Sequence, residues 1–132
     1  MEYANNGIIK VDELLYLYSL TDWANKRTAK DVEKMLSNKD LCFTVRDEGR
    51  LIGFARVMTD FTYRALIDDL IVDTKYRGKG IGARLMELIG EELRDVEEVF
   101  LGCLEDKVGF YQKFGYKIAD HPVMKIKQEK TG

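Results

Sequence analysis

A short glycine-rich segment, residues 77–82, combines residue types that bind anions. It precedes a run in which apolar residues recur at helical spacing, so the pattern predicts a helix from residue 80 to about residue 94. The first amides of a helix lack an intrahelical partner and carry partial positive charge, which attracts phosphate. Glycines let the backbone approach such an anion, and Arg77 and Lys79 add cationic donors. A phosphate-binding loop and a flexible turn that opens a helix both fit this pattern.

The segment differs from two other glycine-rich phosphate-binding motifs. A P-loop ends in Lys-Ser or Lys-Thr, whereas Ala83 and Arg84 follow Gly82 here. A Rossmann fingerprint connects a strand and a helix of a parallel βαβ unit, whereas this segment comes late in the chain and follows a predicted antiparallel meander. The pattern therefore argues against a nucleotide site of either kind.

Two adjacent carboxylates and one phenol are the candidate acid–base groups. Asp68 and Asp69 lie on a predicted strand, where neighbouring side chains face opposite sides, so both face one side only if a bulge reorients one of them. The alternation places Asp68 on the face of Leu66 and Leu70, which favours Asp68 over Asp69 as the carboxylate that faces the site. A solvated acidic edge fits the pair nearly as well. Tyr111, in a short helical run, is either a packed aromatic residue or a proton donor.

Four other residues have types that suit a substrate site. Trp23 and Tyr63 fit an acceptor pocket, but ordinary packing is the favoured interpretation for both. Arg27 and Arg64 fit an acidic acceptor, but they are interpreted as surface charges.

Two motifs resemble those of the GNAT (Gcn5-related) N-acetyltransferases. Residues 70–82, Leu-Ile-Val-Asp-Thr-Lys-Tyr-Arg-Gly-Lys-Gly-Ile-Gly, resemble the acetyl-CoA-binding motif, and Arg77, Gly80 and Gly82 match its Arg/Gln-x-x-Gly-x-Gly/Ala pattern. Residues 110–116, Phe-Tyr-Gln-Lys-Phe-Gly-Tyr, resemble the family's Phe-Tyr-x-Lys-x-Gly-Phe/Tyr helix. The resemblance covers roughly residues 41–128, with both motifs in the family's order.

The resemblance implies roles for individual residues. The strand that holds the acetyl and pantetheine groups through its backbone would contain Leu70, Ile71 and Val72, and CoA would lie in the V between this strand and the next. Tyr111 matches the usual general acid, and Asp68 and Asp69 fall where several members place a residue that faces the acceptor amine. The pyrophosphate loop would be formed by Arg77, Gly78, Lys79, Gly80, Ile81, Gly82 and Ala83.

The implied reaction is direct attack of a primary amine, expected to belong to a small molecule, on the thioester of acetyl-CoA, without a metal. Such a reaction needs a neutral amine, a stabilised oxyanion and a protonated leaving thiolate. Asp68 would take the ammonium proton or hold its charge, and an amide freed by a bulge near Leu70 would donate to the oxyanion. Tyr111 would protonate the thiolate of CoA.

The chain departs from the family pattern near the last helix. Many members have an asparagine at the start of that helix, where this chain reads Leu104-Glu105-Asp106-Lys107, so the resemblance does not carry over this one usual pantetheine contact. Asp68-Asp69 and residues 103–116 also resemble eukaryotic glucosamine-phosphate N-acetyltransferases, but Gly102 stands where those enzymes have an aspartate. Their sugar specificity is therefore not implied.

The elements that must position these residues follow from apolar periodicity. It predicts an α+β fold with the order β-α-α-β-β-β-α-β-α-β-β, and the resemblance implies the GNAT architecture, a mixed, mostly antiparallel sheet flanked by helices. The predicted strands are 7–10, 41–46, 51–58, 62–72, 97–103, 116–119 and 123–128. The predicted helices are 11–19, a second that starts at Thr28, 80–94 and 106–114.

Length and composition exclude several classes of protein. The 132 residues are expected to form a single domain, and the near balance of 21 Lys and Arg against 23 Asp and Glu argues against a nucleic-acid partner. No apolar run approaches the roughly 18 residues of a membrane span, and the N-terminus has no signal-peptide pattern, so a cytoplasmic protein is expected.

Cys42 and Cys103, each in an apolar run, are expected to be buried free thiols, and with the single His121 they make no credible metal site.

Two further function classes stay open. An acyl-CoA-binding sensor without useful turnover would not need a phenol at Tyr111, and a structural interaction domain would not bind CoA at all. Because the family often dimerises, a homodimer is a further expectation. Thiol release from acetyl-CoA across a panel of amines is the experiment that separates these classes.

Overall fold

Residues 1–129 are described by the structure, a computed structural model. The chain forms two compact units, Met1–Gly102 and Cys103–Gly132, and the expectation of a single domain stays a prediction. The strands are β1 (Glu2–Asn5), β2 (Leu41–Asp47), β3 (Arg50–Thr59), β4 (Arg64–Val72) and β5 (Glu98–Leu101). The helices are α1 (Val11–Ser19), α2 (Ala29–Leu36), α3 (Ile81–Glu92) and α4 (Val108–Gln112), with 3₁₀ turns at Thr74–Tyr76 and Glu105–Lys107.

The first unit is built around one five-stranded sheet whose strands lie in sequence order. β1 to β4 pair antiparallel, whereas β5 is parallel to β4 because α3 makes the crossover between them. Glu48 and Gly49, with φ of +50° and +83°, form the predicted tight turn between β2 and β3. The predicted α+β fold, with a mostly antiparallel sheet flanked by helices, is confirmed.

Helices α1 and α2 cover one face of the sheet. Leu17, Tyr18 and Val32 belong to one buried cluster with Phe54 and Ile71 of the sheet. Full burial of an aliphatic or aromatic side chain of this size stabilises the fold by about 1.5–3 kcal/mol. Helix α2 starts where the sequence predicts, with Thr28 as its N-cap residue. The Thr28 hydroxyl accepts a hydrogen bond from the Asp31 amide at 3.2 Å.

Helix α3 covers the opposite face, and its first residue, Ile81, lies close to Gly53 of β3. A Cβ atom at Gly53 would lie 3.1 Å from Val45 Cγ2 and 3.5 Å from Ile81 Cγ2. Neighbouring strand residues face opposite sides, so Gly53 faces α3 while Phe54 faces α1 and α2. Glycine at this position therefore avoids a tight contact with Val45 of β2, whereas the distance to Ile81 of α3 is an ordinary van der Waals contact.

The N-terminal strand lies earlier than the apolar pattern predicts. β1 pairs with β2 from Glu2 to Asn5, whereas residues 7–10 form no strand. Asn6 takes a left-handed φ of +53°, and its amide donates to the Cys42 carbonyl at 2.8 Å. The left-handed residue turns the chain out of the ladder, so the predicted strand at residues 7–10 is wrong.

The second unit contains a 3₁₀ turn and then α4, which is shorter than the predicted helix over residues 106–114. Phe110 and Phe114 stack with their ring centres 5.3 Å apart. Gly115 takes a φ of +93° just after the helix, and the amide of Tyr116 reaches back to the Tyr111 carbonyl at 3.4 Å. The predicted left-handed cap at Gly115 is therefore confirmed.

Residues 116–129 form no strand, so the two predicted closing strands are wrong. The alternation of apolar and polar residues expresses strand propensity, but within the described chain no neighbouring strand satisfies this backbone. Four large apolar side chains of residues 116–129 are exposed: Ile118, Val123, Met124 and Ile126.

The sequence predicts that both cysteines are buried free thiols. This prediction is confirmed for Cys42, which is buried, but it is wrong for Cys103, which is exposed.

Candidate active site

Strand β4 carries a β-bulge at Asp69 and Leu70. The pairing of β3 with β4 shifts between Phe54 and Arg56, so that Ala55 alone opposes both residues. Asp69 takes a left-handed φ of +58°, a conformation that costs about 1–3 kcal/mol at a residue other than glycine. The strand therefore departs from simple alternation at the place where the resemblance implies a bulge.

Asp69 is buried, and three donors converge on its Oδ2 atom. The Tyr18 hydroxyl donates at 2.9 Å, Arg27 Nη1 at 2.9 Å and Arg56 Nε at 3.2 Å. The other carboxylate oxygen, Oδ1, is buried with no hydrogen-bond partner within residues 1–129. Charge-assisted bonds of this kind stabilise the strained residue, and they tie the segment between α1 and α2 to the bulge.

Asp68 contacts the same guanidinium as Asp69 but remains open to solvent. Its Oδ2 atom accepts from Arg56 Nη2 at 2.9 Å, and its side chain is 43% exposed, against 0% for Asp69. Because the bulge breaks the alternation, both carboxylates lie on the Arg56 side of the strand. Burial, and then the charge of Asp69, raise the pKa of Asp68 above its usual range, whereas Arg56 opposes the rise. Asp68 is therefore an accessible carboxylate with increased affinity for a proton.

Asp40 completes a group of five ionic side chains that we call the Arg56 cluster: Arg27, Asp40, Arg56, Asp68 and Asp69. Asp40 Oδ2 lies 3.2 Å from Arg56 Nη1. Three carboxylates share two guanidinium groups, so the cluster has one negative charge in excess. Excess charge away from bulk water is costly unless a cation compensates it, so the cluster is suited to a cationic group beside Asp68.

Sequence reasoning missed most of this cluster. Helical periodicity assigns Tyr18 to an apolar stripe only, and the interpretation of Arg27 as a surface charge is wrong. The Arg27 guanidinium is bonded to Asp69 and lies 4.5 Å from the Tyr18 ring centre and 5.6 Å from that of Trp23. Arg56 offers the one available signal, because it stands within an apolar strand run where an unpaired charge would be unfavourable.

The glycine-rich segment forms a loop and then the N-terminus of α3. Gly78 and Gly80 take left-handed φ values of +80° and +76°, so glycine is required here by backbone conformation. The first helical hydrogen bond runs from the Arg84 amide to the Gly80 carbonyl at 3.0 Å. The amides of residues 81–83 precede that ladder, and together with the helix dipole they form an arrangement that suits a pyrophosphate.

Charged side chains flank this loop. Arg77 and Lys79 are exposed, whereas Ile81 is buried, so Ile81 has only its backbone to offer a ligand. Asp73, fully buried, accepts from the Lys75 amide at 3.0 Å and fixes the turn that leads into the loop. The predicted loop residues therefore lie together at one helix end.

Strands β4 and β5 separate before the bulge. They pair over four residue pairs that end at Ile67 and Leu101, and none follows in the part of the chain that the structure describes. Leu70, Ile71 and Val72 thus present a backbone edge that β5 does not use. Such an edge can bond the amides of a pantetheine chain, in the V that the resemblance implies.

Tyr111 lies on α4 in the second unit. Its half-buried ring packs edge to face with Phe110, with the ring centres 5.0 Å apart. Burial, and then the charges of Cys103 and Tyr116, raise the pKa of the Tyr111 phenol. The phenol therefore carries its proton at neutral pH, as a proton donor must.

A cavity of about 550 Å³ is lined by residues 6–9, 36, 39–42 and 61, and by none of the glycine-loop residues. Asp40 belongs to both the cavity wall and the cluster. Most of the wall is apolar and includes Ile9, Leu36 and Phe61.

Comparison with known proteins identifies the family. Residues 38–118 match the family model described as "Acetyltransferase (GNAT) domain", which is more than half of the chain. The chain belongs to the GNAT acetyltransferase family. The resemblance of the two sequence motifs is thereby confirmed.

Curated relatives of this GNAT protein include acetyltransferases from algae, cyanobacteria and plants. It is 29% identical over 119 residues to an uncharacterized N-acetyltransferase (ycf52) of Pyropia yezoensis, over 86% of this chain and 68% of that protein. A ycf52-like protein of Prochlorococcus marinus is 33% identical over 112 residues, 80% of this chain and 62% of that protein. GCN5-related N-acetyltransferase 2, chloroplastic, of Arabidopsis thaliana is 36% identical over 74 residues, which are 54% of this chain and 29% of that protein. The chain therefore spans between 29% and 68% of the length of these relatives.

Solved GNAT structures share the fold. A GNAT family acetyltransferase from Streptococcus pneumoniae is 26% identical with a TM-score of 0.80, over 97% of this chain and 98% of that one. An aminoglycoside 6'-N-acetyltransferase complexed with coenzyme A is 25% identical with a TM-score of 0.72, over 90% of this chain and 86% of that one. Proteins of the GNAT fold use acetyl-CoA, and the open β4 edge and the uncapped α3 amides fit that molecule.

Residues 1–129 contain neither a metal-binding cluster nor a membrane-spanning helix. No group of three or more His, Cys, Asp or Glu side chains in this range is arranged to hold a metal ion. In the same range, no helix has the length and apolar character needed to cross a membrane.

Proposed function

We propose that this GNAT protein transfers the acetyl group of acetyl-CoA to a primary amine of a small molecule. The observation that carries the proposal is the β4 bulge, where the accessible carboxylate of Asp68 lies two residues from Leu70 and its open backbone edge. One stretch of strand thus offers a partner for a cationic amine and a backbone that can hold a thioester.

Acetyl-CoA is proposed to bind along β4 and at the N-terminus of α3. The backbone of residues 70–72 would bond the pantetheine chain, and the amides of residues 81–83 would receive the pyrophosphate. Arg77 and Lys79, both exposed at this end of α3, would add positive charge next to the phosphates.

The proposed reaction is direct attack by the amine. Asp68 takes a proton from the ammonium, directly or through water, and the nitrogen lone pair then forms the new bond to the thioester carbon. An amide of the bulge donates to the oxyanion that develops on the carbonyl oxygen. The carbon–sulfur bond then breaks, and the CoA thiolate takes a proton from the Tyr111 phenol. The nitrogen releases its surplus proton to water to give the neutral amide, and Tyr111 regains a proton from water. The support for Tyr111 is its place in the motif that resembles the family's Phe-Tyr-x-Lys-x-Gly-Phe/Tyr helix.

A panel of amines tests the proposal. Purified protein and acetyl-CoA are mixed with arylalkylamines, polyamines, sugar phosphates, amino acids or peptide N-termini, and the acetylated amine is measured by mass spectrometry. We expect turnover with at least one small cationic amine and weaker activity with anionic ones, because the Arg56 cluster has excess negative charge. Binding of acetyl-CoA without turnover on any amine would instead indicate an acyl-CoA sensor. Turnover on peptide N-termini alone would exclude the small-molecule acceptor.

We further propose a cytoplasmic homodimer. The buried free thiol of Cys42 is consistent with a reducing compartment, and dimers are frequent in the family that the motifs resemble. Sedimentation of the purified protein and fractionation of the source cells test the two statements separately. A monomer at assay concentrations, or recovery in an organelle fraction, would contradict the corresponding one.

A further inference from the structure

Arg56 contacts each carboxylate of the Arg56 cluster with a different nitrogen atom. Nη2 holds Asp68 at 2.9 Å, Nε holds Asp69 at 3.2 Å and Nη1 holds Asp40 at 3.2 Å. The Arg56 side chain is 12% exposed and projects from the middle of β3. A planar fork with several donors can do this, whereas the single ammonium of a lysine cannot reproduce the geometry.

We propose that Arg56 is the positioning residue for the acceptor carboxylate: it fixes Asp68 towards the amine, while Asp40 and Asp69 hold the guanidinium in place. This inference rests on the proposed role of Asp68 and names the groups that would make the role possible. Arg56 itself is not expected to touch the reacting atoms.

The exposure of the three carboxylates supports this division of roles. Asp69 is fully buried and Asp40 is 21% exposed, whereas Asp68 is 43% exposed. The two better-buried carboxylates therefore anchor the guanidinium from within, and its third contact is directed to the group that solvent can reach. A carboxylate held in one rotamer loses less entropy when it binds an amine than a free one does.

The same geometry sets the electrostatics of Asp68. The charged groups that face it are Arg56 from β3, Asp69 from its own strand and Arg27 from the segment between α1 and α2. Burial and then Asp69 raise the pKa of Asp68, and both guanidinium groups lower it. Arg56 therefore also favours the ionised form of Asp68, which is the form that can accept a proton.

The sharpest test is Asp40→Asn, because Asp40 meets Arg56 at Nη1, and Asp68 is held by Nη2. Glu13→Gln is the matched control: Glu13 pairs with Arg46 of β2 and is 22% exposed, nearly the same as Asp40. We expect the KM for the amine to rise about fivefold in Asp40→Asn, the effect of one ordinary hydrogen bond. The KM for acetyl-CoA should stay unchanged, and Glu13→Gln should leave both constants unchanged. Equal amine kinetics in Asp40→Asn and Glu13→Gln would overturn the inference.

Arg56→Lys adds a readout that does not depend on activity. Carbon-13 NMR of labelled aspartate carboxyls, with Asp68 assigned from Asp68→Asn, should show a higher pKa for Asp68 in Arg56→Lys than in the wild type. Arg46→Lys, which weakens a comparable fork, should leave that pKa unchanged. An unchanged Asp68 pKa in a folded Arg56→Lys variant would contradict the inference, and Asp40→Asn decides the matter if Arg56→Lys does not fold.

Asp68→Asn separates this inference from the proposed function. If Asp68→Asn keeps wild-type amine kinetics, the role of Asp68 is wrong, and the positioning of Asp68 by Arg56 has no catalytic purpose. If Asp68→Asn impairs the amine step but Arg56→Lys and Asp40→Asn match their controls, only the positioning role is wrong.

Discussion

At the residue scale, a single substitution at Tyr111 separates a role in acid catalysis from a role in packing. Tyr111→Phe keeps the ring that packs against Phe110 and removes only the hydroxyl group. We expect kcat to fall about tenfold or more, since general acid catalysis contributes at least this much. Steady-state kinetics at saturating acetyl-CoA measure the change, and the affinity for acetyl-CoA should persist.

Tyr116→Phe is the matched control for Tyr111→Phe. Tyr116 is also half-buried in the second unit, and burial raises the pKa of its phenol as well. Each substitution is expected to change stability by at most about 1 kcal/mol, the net contribution that one ordinary hydrogen bond would make. Full kcat in Tyr111→Phe when chemistry is rate-limiting would leave Tyr111 as a packing residue.

Asp68 predicts how the reaction depends on pH. Because burial and Asp69 raise its pKa, Asp68 takes up a proton at a pH above the ordinary aspartate value of about 3.9. As the pH falls through the raised pKa, the base is lost, and kcat/KM for the amine should decrease. Asp68→Asn should lower kcat/KM by about 10²-fold and remove this decrease. A pH profile of the same shape in Asp68→Asn would show that the decrease comes from titration of the amine itself. Asp95, which is exposed, provides the control: Asp95→Asn should keep the wild-type pH profile.

At the scale of elements, the α3 N-terminus can be tested at Gly80. Gly80→Asp places a carboxylate next to the proposed pyrophosphate site and forces a left-handed φ on a residue with a side chain. We expect the Kd for acetyl-CoA, measured by calorimetry, to rise about tenfold or more, because like charges in contact repel strongly. Gly80→Asn has the same shape without the charge and tolerates that conformation better, so it should retain most of the affinity. Unchanged affinity in a folded Gly80→Asp variant would contradict the phosphate-loop assignment.

Replacing either of two glycines by alanine should change the free energy of unfolding, with opposite signs at the two positions, Gly53 of β3 and Gly90 of α3. Gly53→Ala should lower the free energy of unfolding by about 1–3 kcal/mol, because the new methyl group meets Val45 at 3.1 Å. Gly90→Ala, on the exposed side of α3 with no atom within 4 Å, should raise it by about 0.5–1 kcal/mol. Urea denaturation measures both changes, and equal effects would contradict this description of the α3 face.

At the scale of the whole molecule, the elements that the sequence predicts well are those whose signals are local. The Thr28 cap, the turn at Gly49 and the glycine loop before α3 each depend on a few consecutive residues. The predicted strands at residues 7–10, 116–119 and 123–128 are wrong because a strand needs a partner that the local pattern does not specify.

The sequence also predicts only the local parts of the candidate site. The loop and the two adjacent aspartates are visible as motifs, but their relation depends on the bulge at Asp69, which alternation does not reveal. Tyr18, Arg27 and Asp40 reach the cluster from three separate segments. Only tertiary packing brings such distant side chains to Asp69, which Tyr18 and Arg27 contact, and to Arg56, which Asp40 contacts.

The unequal exposure of the two cysteines has a practical consequence for colorimetric enzymology. Chromogenic disulfide reagents report free CoA, but they also react with accessible protein thiols, and Cys103 is exposed. Cys42 is buried, and burial raises its pKa to about 11, so it holds its proton and reacts slowly. A progress curve should therefore begin with a rapid absorbance step of about one thiol per chain, independent of the amine, before the linear phase of turnover. Cys103→Ser should abolish that step, whereas Cys42→Ser should leave it in place.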